Sequence, residues 1–383
     1  MNFGREVRSQ WLLDRNCIFL NHGAFGATPK VVMEAQNAWR QKLESQPLLF
    51  MQELATHIRA AANELAQFVG AKGEDLVFVD NATAGVNAVV RSLDFSPQDR
   101  IVVTSHGYAA VRKTLTYISR RTGAEIVEAK VPFPIHSEQE VIEAIAQALD
   151  PKVNPNVKLL VLDHITSPTA LIFPIAELVK LAKAQNIPVL VDGAHAPGTL
   201  PLNLVELDAD WYAGNCHKWL CANKGCGFLY AKPSRQADLH PNVISHGFDS
   251  GFLAEFDWTG TRDPSAWLTV TDAIAFHQHL GSDRVREHNH KLVLWAAQML
   301  ATTWQQTLPA PESMLGAMAT IPLPPQVTSK YAVSDYQKLH DEILAKHQIE
   351  VPIIPFGDRL WVRISAQVYN EAWEYEHLAA AFR

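Results

Sequence analysis

The chain is poor in cysteine, with only Cys17, Cys216, Cys221 and Cys226 among 383 residues. So few in so long a chain build no disulfide framework, which points to a reducing compartment and hence the cytoplasm. No stretch approaches the ~20 apolar residues that cross a bilayer, so no membrane partner is expected. The opening, MNFGREVRSQWLLDRN, carries charges where a secretory signal needs an apolar core. A basic excess is also missing. The formal net charge of −7 argues against nucleic acid as a partner. No G-x-G-x-x-G lies between a strand and a helix, which argues against a nicotinamide dinucleotide. Cys216, His217, Cys221 and Cys226 cluster in sequence, but the metal reading is the weaker one and no metal is expected. Internal repeats and low-complexity segments are absent.

What is present is ordinary soluble globular composition, 48% hydrophobic and 19% charged. The length suffices for a large core and two domains. Residues 1–18 read as a short helical lead-in. TPKVVMEAQNAWRQKLES follows with a Thr cap and Pro at the first helical position. MQELATHIRAAANELAQFVG is a second amphipathic helix closed by Gly70. From Asp75 strands and helices alternate: DLVFVD, DRIVVTS, EIVEAKV, VKLLVLDHI and IPVLVDG are strands with helical patterns between them. GCGFLYA is a further strand. This alternation predicts an α/β fold with a mostly parallel sheet covered on both faces. After about residue 255 the texture changes. A long helical region over 264–305 precedes strands at MATIPLP, IEVPIIPF and RLWVRISAQ, two further helices, and so a compact α+β unit.

The chain is organised around residues 187–219. IPVLVDGAHAPG and DADWYAGNCHKW each start as a buried strand and end in polar residues. The first leaves Asp192 and His195 past its apolar run; the second leaves His217 and Lys218. Sites of open α/β sheets lie beyond the carboxyl ends of strands. A lysine there can form a Schiff base with a carbonyl cofactor, and an acid can hold a pyridinium nitrogen protonated. A surface lysine, a helix-capping aspartate and a satisfied core histidine are the plain structural alternatives.

The VDGAH and HKW pair, with FLNHGAFG near residue 20 and WVRISAQVYN near residue 365, resembles the class V aminotransferase family of pyridoxal-phosphate enzymes. The isopenicillin N epimerase-like and cysteine desulfurase-like branch fits best. The resemblance implies the fold type I architecture: an N-terminal segment (1–20) packing on the small domain, a large cofactor domain (21–255) with a mostly parallel seven-stranded sheet, and a small C-terminal α+β domain (256–383). It implies pyridoxal 5'-phosphate bound to Lys218. Asp192 would face the pyridine nitrogen and His195 the phenolic oxygen. DNATAG would offer the phosphate a helix N-terminus, with Ala82 and Thr83, joined by Asn215 and His217. Tyr108, rather than His106, would stack on the ring. DHITSPT would touch the ring from one side through Ser167 or Thr169. Arg363 suits a substrate α-carboxylate, and Gly23 would border the substrate pocket. DWTGTRD would reach across a homodimer, with Thr261 at the partner's cofactor phosphate.

The family transaminates, eliminates or epimerises small amino acids. No cysteine lies beyond Cys226, so the persulfide-forming cysteine that a desulfurase carries before the carboxylate-binding arginine is missing. Epimerase or C–S lyase chemistry on a small amino acid, with Lys218 moving the Cα proton, is the expectation. Transamination, or a cofactor-binding protein without turnover, is the alternative.

Overall fold

The computed structural model describes residues 2–382. Two-residue β1 (Ile18–Phe19) comes first. The main sheet follows as β2 (Leu76–Val79), β3 (Arg100–Thr104), β4 (Glu125–Ala129), β5 (Val157–Asp163), β6 (Val189–Gly193), β7 (Trp211–Asn215) and β8 (Gly227–Ala231). The chain ends with β9 (Met318–Pro322), β10 (Ile349–Glu350), β11 (Ile353–Phe356) and β12 (Arg359–Ser365).

Side-chain alternation decides the main sheet. Leu76, Phe78, Val102, Leu160, Leu162, Val189 and Val191 enter one apolar cluster. Their chain neighbours Val77, Val79, Ile101, Val103, Leu159, Val161 and Leu190 enter another on the opposite face. Each such side chain is worth about 1.5–3 kcal/mol buried, so a one-residue slip of any strand would exchange its two faces' side chains. Helices Pro47–Val69, Glu138–Leu149 and Ile175–Lys183 cover the first face. Helices Ala82–Ser92, Ala109–Thr122 and Phe252–Asp257 cover the second.

The strand order is β2-β8-β7-β6-β5-β3-β4. Only β8 is antiparallel, to both β2 and β7. The remaining strands therefore deliver their carboxyl ends to one edge, and Asp80, Asp163, Asp192 and Asn215 sit along it. Three antiparallel strands, in order β11-β12-β9, form a smaller sheet near the C-terminus. The first residues dock there too. β1 pairs in parallel with β10, Gly4 N–H donates to Val368 O at 2.6 Å, and Arg8 meets Glu374 at 3.2 Å.

Several local expectations are corrected. The lead-in is helical only over Arg5–Arg8. Thr28 does not cap the helix Lys30–Ser45: Pro29 holds the cap position, and Thr28 Oγ1 donates to Ala222 O at 3.1 Å. The 264–305 region is broken into Ser265–Leu268, Val270–Leu280 and Ser282–Thr303, with Gly281 at a φ of 83° between the last two. IEVPIIPF is two strands, because Val351 and Pro352 part β10 from β11. Among the described residues, no helix is long and apolar enough to cross a membrane.

His22–Phe25 forms one helical turn that ends at Gly26, with a φ of 69°. A Cβ there would lie 2.1 Å from His217 O and 2.8 Å from Lys218 O. Gly26→Ala combines a left-handed residue with a backbone clash and should cost at least about 2 kcal/mol. Thermal unfolding checks this: the midpoint should fall clearly below that of the native chain.

Candidate active site

The site is built where strands stop. Register pairs Asp163 at the end of β5 with Asp192 on β6, and Asp192 with Ala213 on β7. The chain then turns, bringing His195 past β6 and His217 and Lys218 past β7. Asn81 ends the turn after β2 and caps the helix Ala82–Ser92, its Oδ1 accepting Ala84 N–H at 2.9 Å. Asn215 Oδ1 accepts Ala82 N–H at 2.8 Å and ties that helix start to β7.

A cleft of about 450 Å³ lies over these ends. Ala82, Thr83, Tyr108, Ser167, Asp192, His195, Asn215, His217 and Lys218 all line it. Arg363 reaches Ser167 from β12: its Nη1 donates to Ser167 O, and to Ser167 Oγ at 3.2 Å. Gly23 stands behind the wall, donating to Ser365 Oγ at 3.1 Å, and the next residues, Ala24 and Phe25, face the cleft. His106 is buried against Thr169 Oγ1 and Val131 O, so Tyr108 is the ring of this pair on the cleft. Thr169 is likewise tied inside, to His106 and Thr166. Thr261 is exposed and is not brought into this chain's cleft. Its neighbour Arg262 pairs with Asp80 at the rim and lies over the Trp267 ring.

Lys218 Nζ is buried, 3.2 Å from His195 Nε2. Burial and the charge of Arg363 lower its pKa from 10.5 to about 8, against the pull of Asp192. Arg363 is itself lowered to about 10 by burial, with no carboxylate in contact, and its Nε has no hydrogen-bond partner. Burial, with Lys218 next, brings His217 down to about 4, so the ring is neutral, with Nδ1 3.1 Å from Cys226 O. Trp219 Nε1 donates to His195 Nδ1 at 3.3 Å. His22 approaches Lys218 O at 3.0 Å and Tyr369 Oη at 2.7 Å. Among the described residues, no group of three or more His, Cys, Asp or Glu is arranged to hold a metal.

The model of the aminotransferase class-V family matches residues 18–341. The chain belongs to that family. A probable chloroplastic L-cysteine desulfhydrase of Arabidopsis thaliana is 33% identical over 387 residues, covering 94% of this chain and 81% of that protein. Isopenicillin N epimerase of Streptomyces clavuligerus is 31% identical over 395 residues, 98% of this chain and 96% of its own. An apo cysteine desulfurase from Thermococcus onnurineus NA1 shares the fold with a TM-score of 0.82 at 21% identity, over 99% of this chain and 97% of that one. The protein is thus a class V pyridoxal-phosphate enzyme of the fold type I architecture, with the expected mostly parallel seven-stranded sheet.

The cleft suits that cofactor on its own chemistry. A buried amine of lowered basicity, a buried carboxylate and a helix N-terminus converge on it, and a buried guanidinium nitrogen lacks a partner. Lys218, Asp192, the helix start at Ala82 and Thr83, and Arg363 are the residues that present these groups.

Sequence reasoning passed over Asp163, although it ends an apolar strand just as Asp192 does. It lines the cleft and accepts Tyr108 N–H at 3.2 Å. Burial, and then the neighbouring Asp192, raise its pKa well above the usual carboxylate value. Asp192 is raised by burial too, but Ala194 N–H and Lys218 oppose the shift. Burial disfavours charge on both carboxyls, and the pull of Lys218 acts on Asp192, so Asp163 is the more readily protonated of the two.

Two outcomes follow. In the cofactor-free enzyme, acylation of Lys218 should rise with a midpoint near pH 8, because the amine is protonated below it and free above it; peptide mapping across a pH series measures this. An infrared difference spectrum at neutral pH between the native chain and Asp163→Asn should lose one protonated-carboxyl band. Loss of carboxylate bands alone would contradict the assignment.

Proposed function

We propose that this enzyme cleaves a C–S bond of cysteine or a small cysteine derivative by elimination, with Lys218 as the cofactor-binding amine and the base that takes the Cα proton. The observation that carries the proposal is a buried Lys218 held near pKa 8 between Asp192 and Arg363, in a cleft whose described lining includes no cysteine. Cys216, Cys221 and Cys226 are buried, and burial pushes Cys221 up to about 12. Among the described residues no thiol lines the cleft to accept sulfur, so sulfur leaves with a product rather than on the enzyme.

Pyridoxal phosphate supplies the electron sink that takes up the pair left when a bond at Cα breaks. The residues of the chain do the rest. Arg363, fixed by Ser167, presents a guanidinium edge to the α-carboxylate and orients the amino acid. Asp192, charged while Asp163 carries the proton, stabilises a protonated ring nitrogen. Asn215 and His217, with Ala82 and Thr83, form the anion end. Tyr108 flanks the ring, and Lys218, once free, moves the proton. For L-cysteine and water the balanced outcome is pyruvate, hydrogen sulfide and ammonia. Epimerisation at Cα is the second reading, favoured by the 31% identical epimerase. The same proposal divides the chain into 1–20, 21–255 and 256–383, and pairs two copies so that exposed Thr261 serves the partner's cleft.

Proton NMR in deuterated water with L-cysteine, L-cystine and related amino acids tests the reaction. Pyruvate should appear with native enzyme and fall by at least about a thousandfold in Lys218→Ala, the scale expected for a lost general base that also anchors the cofactor. Exchange of the Cα proton with the amino acid retained would favour epimerisation instead. Arg363→Lys should raise KM about tenfold or more, as one charge-assisted hydrogen bond is lost.

A further inference from the structure

His195 is buried between two nitrogen groups. Trp219 Nε1 approaches its Nδ1 at 3.3 Å, and Lys218 Nζ lies 3.2 Å from its Nε2. An indole N–H can only donate. Nδ1 must therefore offer its lone pair to Trp219. Burial, and then the charges of Lys218, Arg363 and His217, keep the ring neutral. A neutral imidazole has a single proton, which leaves it on Nε2, facing the lysine. An ammonium gives that N–H nothing to donate to; an amine does.

The donor is firmly held. Trp219 is 2% exposed, and its ring lies 5.0 Å from that of His22. Gly198 packs so closely on its backbone that a Cβ there would sit 2.5 Å from the Trp219 carbonyl carbon. The other charged or titratable groups around Lys218 come from separate elements: Arg363 on β12, Asp192 on β6 with Asp163 beside it on β5, and His217 immediately before it. None of these makes a hydrogen bond to Nδ1 of His195.

We propose that Trp219 is a positioning residue that, by occupying Nδ1, fixes His195 as the Nε2–H tautomer and so presents a donor, not an acceptor, to Lys218 Nζ. The donor then also stands ready for an anionic oxygen of the cofactor. That last consequence rests on the cofactor arrangement proposed above; the tautomer does not.

The test uses cofactor-free enzyme labelled with nitrogen-15 histidine, with the His195 ring assigned by its disappearance in His195→Gln. At about pH 9, above the Lys218 midpoint so that the lysine is an amine, the two-bond proton–nitrogen pattern should give Nε2 as protonated and Nδ1 as bare. In Trp219→Phe the Nδ1–H form should grow in. Nε2 can then accept from an ammonium, so the Lys218 acylation midpoint should move up by about half to one unit, the equivalent of one ordinary hydrogen bond. An Nδ1–H or doubly protonated His195 in the native chain overturns the proposal. So does a Trp219→Phe variant whose tautomer and midpoint are unmoved. If that variant does not fold, the native spectrum alone decides. Absence of pyruvate in the amino-acid panel would sink the proposed reaction and leave this spectrum unchanged, so the two failures are distinguishable.

Discussion

A primary amine kept inside the protein is the constraint on which the rest depends. Lys218 is 8% exposed, and an ammonium in that position lacks most of the water that would stabilise it. Arg363 adds a like charge, while Asp192 keeps the amine from becoming more acidic still. The resulting balance leaves an amine that is nucleophilic near neutral pH yet remains able to carry a proton. Among the strand ends at the cleft, that of β6 enters the balance directly, through Asp192 and the following His195.

Such a balance needs a scaffold that does not yield. The main sheet is apolar on both faces, and its two clusters confine each strand to one register. In the central strands β5 and β6 the carboxylates stand only at the carboxyl edge, where Asp163 and Asp192 lie opposite each other. Two carboxyl groups so close cannot both be charged at low cost. The pull of Lys218 acts on Asp192 and makes Asp163 the more readily protonated of the two. The arrangement assigns two chemical roles to one residue type through surroundings alone.

Much of this was legible in the sequence, because strand-end chemistry is local. IPVLVD and DADWYAGNCHK announce both the buried strand and the group that follows it, and Ala82, Thr83 and Tyr108 follow from the same logic at β2 and β3. What could not be read depends on distant partners. His22 lies 196 positions from the Lys218 carbonyl it approaches, and Arg363 lies 196 from Ser167. Thr28 has the type and position of a helix cap, yet a carbonyl of the distant loop at Ala222 engages it instead. Gly281 marks one break in the 264–305 helix, whereas the break at Thr269 has no local signal. Asp163 was readable by the rule that found Asp192. Thr261, proposed to serve a second copy, does not line the cleft of its own chain.

The docking of the first residues on the last has a consequence for how the enzyme comes into being. The Lys218 peptide is braced by His22, which itself rests on Tyr369, and Arg363, whose charge acts on the amine, arrives late in the chain. A ribosome that has finished the large sheet has therefore made the reactive amine without the tyrosine that holds its brace and without its companion cation. The cleft reaches its working form only when the end of the chain emerges and folds back over the beginning. A copy cut short before Arg363 and Tyr369 carries the lysine but not the surroundings that tune it.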